Sequence, residues 1–189
     1  NGNGNPTSVY DHPLLALCLY NKAEILRIKG DGMMALKLLE QSLGMRRRIF
    51  RSHHPLIADC LYAMAELLRS DQRYLQALPI YDKALEIRTE TYGNNHPAIA
   101  EVQNSVGLLY MSLGNYSKAE ELLNSALTIC EGILGIKHPS TALIYNNHAG
   151  LLQSMGKYQE AVNVNKKTLL IKQQLYTENH PEVANTLNN

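Results

Sequence analysis

The dipeptide His-Pro places the strongest constraint on this chain, because it recurs at a fixed spacing of 42 residues. Its five occurrences are His12-Pro13, His54-Pro55, His96-Pro97, His138-Pro139 and His180-Pro181. A fixed period of about 20 to 50 residues is typical of a solenoid, in which one supersecondary unit is repeated and packs only on its neighbours. The sequence therefore predicts a repeat array rather than a single globular core.

Each unit is predicted to contain two helices, A and B, because apolar residues recur at intervals of three and four. The Pro after each His suits the first turn of helix A, and glycines such as Gly114 and Gly135 suit helix ends. Helix A is predicted over 13–29, 55–71, 97–113 and 139–155, and helix B over 32–51, 74–92, 116–134 and 158–176.

Small residues recur where the two helices of a unit would meet, which would allow a close approach. They are Ala23, Ala65, Gly107 and Ala149 in helix A, and Ala35, Ala77, Ala119 and Ala161 in helix B. Three residues depart from the apolar pattern. Asn165 occupies a position where helix B is expected to pack a large apolar side chain, and Lys22 and His148 occupy an apolar position of helix A.

This pattern resembles the tetratricopeptide repeat family, and its period resembles the kinesin-light-chain and nephrocystin type. The resemblance rests on the small residues and on three further features: Tyr74, Tyr116 and Tyr158 at the start of helix B, Asn146-Asn147, and the segment 156–161. It implies an all-α fold, a right-handed α-solenoid of stacked antiparallel helix pairs. Repeats are then expected over 12–53, 54–95, 96–137 and 138–179, with a partial fifth repeat over 180–189 and a flexible N-terminal segment over 1–11.

The recurring histidines are interpreted as structural, each marking the start of a helix. They lie one repeat apart, whereas zinc requires ligands at about 2.0–2.1 Å from a single ion. His53-His54 is the only adjacent pair, and two adjacent ligands make no complete site. The sequence also has no Gly-rich phosphate loop, and no Ser-His-Asp or Cys-His arrangement has supporting context. We therefore predict no catalytic residue, no metal site and no cofactor, and we do not expect an enzyme.

Charge and composition narrow the range of partners. The net charge of +1 gives no reason to expect nucleic-acid binding through phosphate neutralisation. No apolar run approaches the roughly 20 residues that span a bilayer, so membrane insertion is not expected. Cys18, Cys60 and Cys130 are predicted to be reduced, buried thiols of a cytoplasmic protein.

The strongest run of charge is Arg46-Arg47-Arg48, followed by Arg51. We interpret it as a solvated end of helix B, since cations are favoured near a helix C-terminus. A patch for an acidic partner or a membrane surface is the alternative interpretation.

The resemblance also implies a concave groove that is lined mainly by helix A and binds a peptide. The positions that it would place in this groove include four asparagines, whose carboxamides can match the N–H and C=O groups of a peptide backbone. Two Glu/Arg pairs at a spacing of three residues would partly neutralise each other. The predicted groove residues are Tyr20, Asn21, Glu24, Arg27, Tyr62, Glu66, Arg69, Asn104, Leu108, Met111, Asn146, Asn147 and Gln153.

The function predicted from these features is non-enzymatic. The array would bind an extended peptide or a partner helix, as an adaptor or scaffold within a larger protein of which this chain is a fragment. Two alternatives remain open. The array could be a structural spacer that forms homo-oligomers through an uncapped C-terminal end, or a regulatory arm of an enzyme or nucleotide-switch protein.

Overall fold

The computed structural model describes residues 11–176, together with Pro181 and Thr186. Residues 11–176 contain eight helices and no strand. They are α1 (Pro13–Ile28), α2 (Gly32–Ile49), α3 (Pro55–Ser70), α4 (Tyr74–Tyr92), α5 (Pro97–Ser112), α6 (Tyr116–Ile133), α7 (Pro139–Ser154) and α8 (Tyr158–Leu175). Apart from Asp11, Pro181 and Thr186, the predicted N-terminal segment and partial fifth repeat lie outside the described residues.

All eight helices begin at the predicted residue, and their ends differ from the prediction by at most two residues. For the four A helices, the start is set by the histidine that precedes each one. The ring of this histidine accepts a hydrogen bond from the backbone N–H two residues later. Nδ1 of His12, His54, His96 and His138 accepts at 3.1 to 3.2 Å. Each ring thus satisfies one of the N–H groups that a helix start leaves without a partner. The interpretation of these histidines as helix-start residues is confirmed.

A left-handed backbone residue lies in the turn between helix A and helix B of every repeat. It is a glycine in three repeats, with φ of +84° at Gly30 and +75° at both Gly114 and Gly156. In the second repeat the position is held by Gln72, whose φ is +60°. A side chain with a Cβ is disfavoured in this region, so Gln72 shows that the turn is imposed by the helices on either side.

The chain divides into two compact units, Asn1–Gly93 and Asn94–Asn189. In unit 1, α1 packs on α2, α2 on α3, and α3 on α4; unit 2 repeats this order with α5 to α8. The core of unit 1 is continuous through its four helices and includes Ala23, Leu39, Ala58 and Ala84, all fully buried. Burial of each large apolar side chain contributes about 1.5–3 kcal/mol, so this shared core stabilises both hairpins of unit 1.

The predicted small residues do allow close contact within the helix pairs. Ala23, Ala65 and Ala149 are fully buried on helix A. Gly107 is the tightest case, since a Cβ added there would lie 3.1 Å from Cγ of Leu123 on α6. Glycine at this position therefore lets α5 and the leucine side chain on α6 pack without a clash.

The prediction for the cysteines is wrong at one position. Cys60 and Cys130 are free and buried, whereas Cys18 is free and exposed. Cys60 lies against α2, with its Sγ 3.5 Å from Oγ of Ser42. Cys18 occupies the equivalent position on α1, and within residues 11–176 no helix covers that side of α1 as α2 covers Cys60.

Candidate peptide-binding faces

The helix-A face of unit 1 consists of seven predicted residues on α1 and α3, which contact each other. They are Tyr20, Asn21, Glu24, Arg27, Tyr62, Glu66 and Arg69. Both expected ion pairs form: Arg27 donates to Glu24 from Nη2 at 3.0 Å and from Nε at 3.2 Å, and Arg69 donates to Glu66 at 2.9 Å. The charges on this face are therefore largely matched within each helix.

The two tyrosines of this face are each covered by an arginine from helix B. Cζ of Arg46 on α2 lies 4.9 Å from the ring centroid of Tyr20, and Cζ of Arg88 on α4 lies 4.7 Å from that of Tyr62. Arg46 and Arg88 are only 2% and 5% exposed. A cation over an aromatic face is attracted by the ring quadrupole, most strongly where water is excluded. These tyrosines are thus held in place by the repeat itself.

Burial and nearby negative charge keep Tyr20 neutral. Desolvation, followed by the carboxylate of Glu24, raises the pKa of Tyr20 to about 12. The hydroxyl therefore remains a proton donor throughout the physiological range and can serve as a fixed polar group of the face.

Tyr81 on α4 supports this face from below, although it is not among the predicted groove residues. It is fully buried, it donates its hydroxyl hydrogen to Glu66, and its ring centroid is 6.0 Å from that of Tyr62. Desolvation, together with the charge on Glu66, raises the pKa of Tyr81. Glu66 consequently accepts from both Tyr81 and Arg69 and is fixed by two elements at once.

Two polar atoms of this face are buried without a hydrogen-bond partner in the described part of the chain. They are Oε1 of Glu24 and Nε of Arg69. One is an acceptor and the other a donor, which is the combination that a peptide group can satisfy. Asn21, by contrast, is exposed.

The helix-A face of unit 2 consists of Asn104, Leu108, Met111, Asn146, Asn147 and Gln153, on the contacting helices α5 and α7. Its central feature is a hydrogen bond from Nδ2 of Asn147 to Oδ1 of Asn104, at 2.8 Å. Asn104 is only 8% exposed, and the other five residues of this face are half-buried. The structure thus joins two of the three asparagines of this face directly.

This amide pair is electrically neutral but retains hydrogen-bonding capacity. The bond uses the nitrogen of Asn147 and the oxygen of Asn104, so the oxygen of Asn147 and the nitrogen of Asn104 are not consumed by it. A carboxamide oxygen accepts and a carboxamide nitrogen donates. The pair can therefore offer one acceptor and one donor to a ligand.

A second cluster in unit 2 was not found from the sequence. The hydroxyl of Tyr145 donates to Glu131 of α6 and accepts from Nζ of Lys167 on α8, and this nitrogen lies 4.1 Å from the Tyr145 ring centroid. Desolvation, together with Glu131, raises the pKa of Tyr145. The cluster links three helices, and its residues lie too far apart in the sequence for helical spacing to reveal it.

The interpretation of the arginine run as one solvated helix end is wrong for Arg46. Arg47 and Arg51 are exposed, and Arg48 forms two hydrogen bonds of 2.7 Å to Asp11. Arg46 is buried and donates to the carbonyl of Leu56 on α3. Successive helical residues are about 100° apart, so Arg46 lies on the packed side of α2 while its neighbour is in solvent.

Taken together, the helix pairs define a repeat protein whose units are helical hairpins with small residues at the helix-helix contact. The sequence matches the model of the tetratricopeptide repeat family over residues 15–71, 60–132, 98–173 and 140–189. The chain belongs to the tetratricopeptide repeat family. The expected fold class, an all-α array of stacked antiparallel helix pairs, is confirmed.

Solved structures of similar fold agree with this assignment. Nearly identical TPR-like repeats from a Podosopora anserina protein of kinesin light chain type are 23% identical, with a TM-score of 0.75 over 93% of this chain and 83% of theirs. BtubC (BKLC) from P. vanneervenii is 22% identical, with a TM-score of 0.80 over 93% and 70%. A Rap protein complexed with Competence and Sporulation Factor is 16% identical, with a TM-score of 0.77 over 92% and 46%.

A search of curated protein sequences finds no match. Within the described residues, no helix is both long enough and apolar enough to cross a membrane.

Proposed function

We propose that this chain is a non-catalytic interaction module whose helix-A faces each bind an extended peptide segment of a partner protein. Tetratricopeptide arrays generally act as protein-interaction scaffolds, and one similar structure is a complex with a partner, Competence and Sporulation Factor. The proposal includes a cytoplasmic location, which is favoured by three free cysteines because oxidising compartments promote disulfides.

The observation that carries the proposal is the Asn147–Asn104 pair. One acceptor and one donor remain beside it, and they lie on a face that also carries Leu108 and Met111, both half-buried. The amides suit the backbone of an extended peptide, and the apolar side chains suit one of its side chains. Recognition of this type depends more on the backbone than on the peptide sequence.

The helix-A face of unit 1 has a different role in this proposal. Its ion pairs and covered tyrosines hold its side chains in fixed positions. A neutral, polar segment fits this face better than a strongly charged one, because the face already balances its own charges.

A peptide array, followed by fluorescence anisotropy on the best binders, tests the proposal. The variant Asn147→Ala removes the donor to Asn104 and the remaining acceptor. Since one hydrogen bond contributes about 0.5–1.5 kcal/mol, we expect binding to weaken by about two- to twelvefold. Asn146→Ala tests the neighbouring position of the same face in the same way.

Asn124→Ala is the matched control, because Asn124 is an exposed asparagine on α6 and lies outside both helix-A faces. It is expected to bind as the unaltered protein does. If peptides bind and both Asn146→Ala and Asn147→Ala retain full affinity, the assignment of the unit 2 face fails.

A further inference from the structure

Three side chains that can bind a metal ion converge beside the loop that precedes α3. They are His53, in that loop, and Glu86 and Glu90, one turn apart on α4. One ligand atom from each lies within 4.8 Å of the other two, and Nδ1 of His53 is 3.0 Å from Oε2 of Glu90. His53 does not cap a helix, since that role belongs to His54.

All three residues depart from the repeat. At the position of His53 the other repeats have Asp11, Asn95 and Lys137; at that of Glu86 they have Gly44, Thr128 and Leu170; at that of Glu90 they have Arg48, Gly132 and Gln174. The repeat fold therefore requires none of the three side chains. Their coincidence in one repeat calls for a local explanation.

The first repeat shows what the fold needs at this place. There Asp11, before α1, and Arg48, on α2, form an ion pair at 2.7 Å. These two residues connect the segment before helix A to helix B. His53 and Glu90 are the equivalents of this pair. Glu86 is an additional carboxylate, and it has no ion pair within 4.0 Å in the described part of the chain, although Lys83 and Arg47 line the same pocket of about 510 Å³.

The backbone around the three residues is fixed. The His54 ring stacks on Phe50 at 4.1 Å between centroids, and the His54 N–H donates to the carbonyl of Arg51. Glu86 and Glu90 project from the same side of a continuous helix. The three side chains themselves are exposed, so rotations about their side-chain bonds can bring the ligand atoms to the separation of about 3.3 Å that tetrahedral zinc requires.

We propose that His53, Glu86 and Glu90 bind a divalent transition-metal ion, with zinc as the best fit and water as the fourth ligand. Zinc accepts one imidazole nitrogen and two carboxylate oxygens at about 2.0–2.2 Å. The imidazole favours zinc over magnesium or calcium, which prefer oxygen ligands alone. The bound ion replaces the His53–Glu90 hydrogen bond and joins the loop before α3 to α4.

Titration of the protein with zinc chloride, followed by isothermal calorimetry, tests this site. The repeats themselves supply substitutions that the fold tolerates: His53→Asn, as at Asn95, and Glu86→Thr, as at Thr128. We expect one equivalent of zinc to bind to the unaltered protein. Because loss of a supporting partner alone weakens metal binding by about ten- to a hundredfold, each variant should lose at least about tenfold in affinity. Zinc should raise the thermal midpoint of the unaltered protein and not that of His53→Asn.

Cys18→Ser is the control, because Cys18 is an exposed thiol that can bind zinc by itself. It should bind zinc with unchanged affinity at the proposed site. The proposal is overturned if zinc does not bind, if His53→Asn and Glu86→Thr bind it as well as the unaltered protein, or if magnesium binds equally well.

Discussion

The substitution Asn165→Leu is expected to stabilise unit 2, because Asn165 is a polar residue in a position that the repeat uses for its core. Its equivalents in the other repeats are Leu39, Tyr81 and Leu123, all fully buried, and Asn165 is itself only 9% exposed. Its Oδ1 is buried without a hydrogen-bond partner. The substitution therefore removes an unsatisfied acceptor and supplies the apolar side chain found in two of the other repeats.

The change in the free energy of unfolding is the sum of two stabilising contributions and one destabilising contribution. Leaving a buried acceptor unsatisfied costs about 1–3 kcal/mol, which the substitution recovers. Burying a leucine side chain contributes about 1.5–3 kcal/mol. Fitting a differently shaped side chain into a packed site costs about 1–3 kcal/mol. We expect a net gain of about 2 kcal/mol in the free energy of unfolding, and a rise in thermal midpoint of about 4–8 °C for a chain of this length.

Urea and thermal denaturation, followed by far-UV circular dichroism, measure this gain. Asn163→Leu is the matched control, because Asn163 is an exposed asparagine on the same helix. It should change the free energy of unfolding by no more than about 0.5 kcal/mol. If Asn165→Leu leaves stability unchanged or lowers it while the control behaves as expected, the conclusion that an unsatisfied amide weakens the core of unit 2 is refuted.

Two further changes test the buried polar residues. Arg46→Ala should lower the free energy of unfolding by about 2–4 kcal/mol, because it removes the cation over the Tyr20 ring and the donor to the Leu56 carbonyl. Arg47 is exposed, so Arg47→Ala should have little effect in the same urea titration. The pKa of His148 is lowered by burial, with Lys157 acting in the same direction and Glu120 and Glu160 opposing it. As pH falls, His148 therefore becomes protonated at a higher pH in the unfolded state than in the folded state. The folded protein loses stability as pH falls below about 6.5. His148→Met, which copies Met64 of the second repeat, should become more stable relative to the unaltered protein as pH is lowered from about 7.5 to about 5, and a constant difference would contradict this.

The fold could be predicted from the sequence because local rules and the repeat agree. The His-Pro dipeptide both starts helix A and caps it, and glycine is compatible with the left-handed turn that follows in three repeats. Where one of these signals is absent, as at Gln72, the neighbouring repeats still give the register. A single repeat would have left the helix ends uncertain, but four aligned copies fixed all eight starts.

Contacts between helices were much harder to predict. Helix A supplied the predicted groove residues, yet Arg46, Arg88 and Tyr81 reach the unit 1 face from helix B. Their roles depend on which side of helix B is packed, and a charged residue gives no sign of this in the sequence. The arginine run shows the consequence, since composition alone grouped a buried residue with its exposed neighbours.

The same limitation applies to His53, which the sequence places beside only one other histidine, His54. Glu86 and Glu90 are more than 30 residues away in sequence, and no spacing rule connects them to the loop before α3. Comparison between repeats would have revealed all three, because each differs from its equivalents. In a repeat protein, residues that break the pattern are therefore the better candidates for a specific role, whereas residues that keep it maintain the fold.

The two helix-A faces differ in how much of their polar capacity is already used, and this difference bears on the kind of partner each can bind. In unit 1 the carboxylates of Glu24 and Glu66 are each bound by an arginine. A charged ligand would have to separate these pairs or be desolvated beside them, and such desolvation can exceed the attraction gained. In unit 2 the Asn147–Asn104 pair is uncharged, and its hydrogen bond does not use the oxygen of Asn147 or the nitrogen of Asn104. A peptide backbone can bond to the remaining amide atoms without breaking the bond between the two asparagines. We therefore expect unit 2 to supply most of the affinity and unit 1 to exclude strongly charged segments.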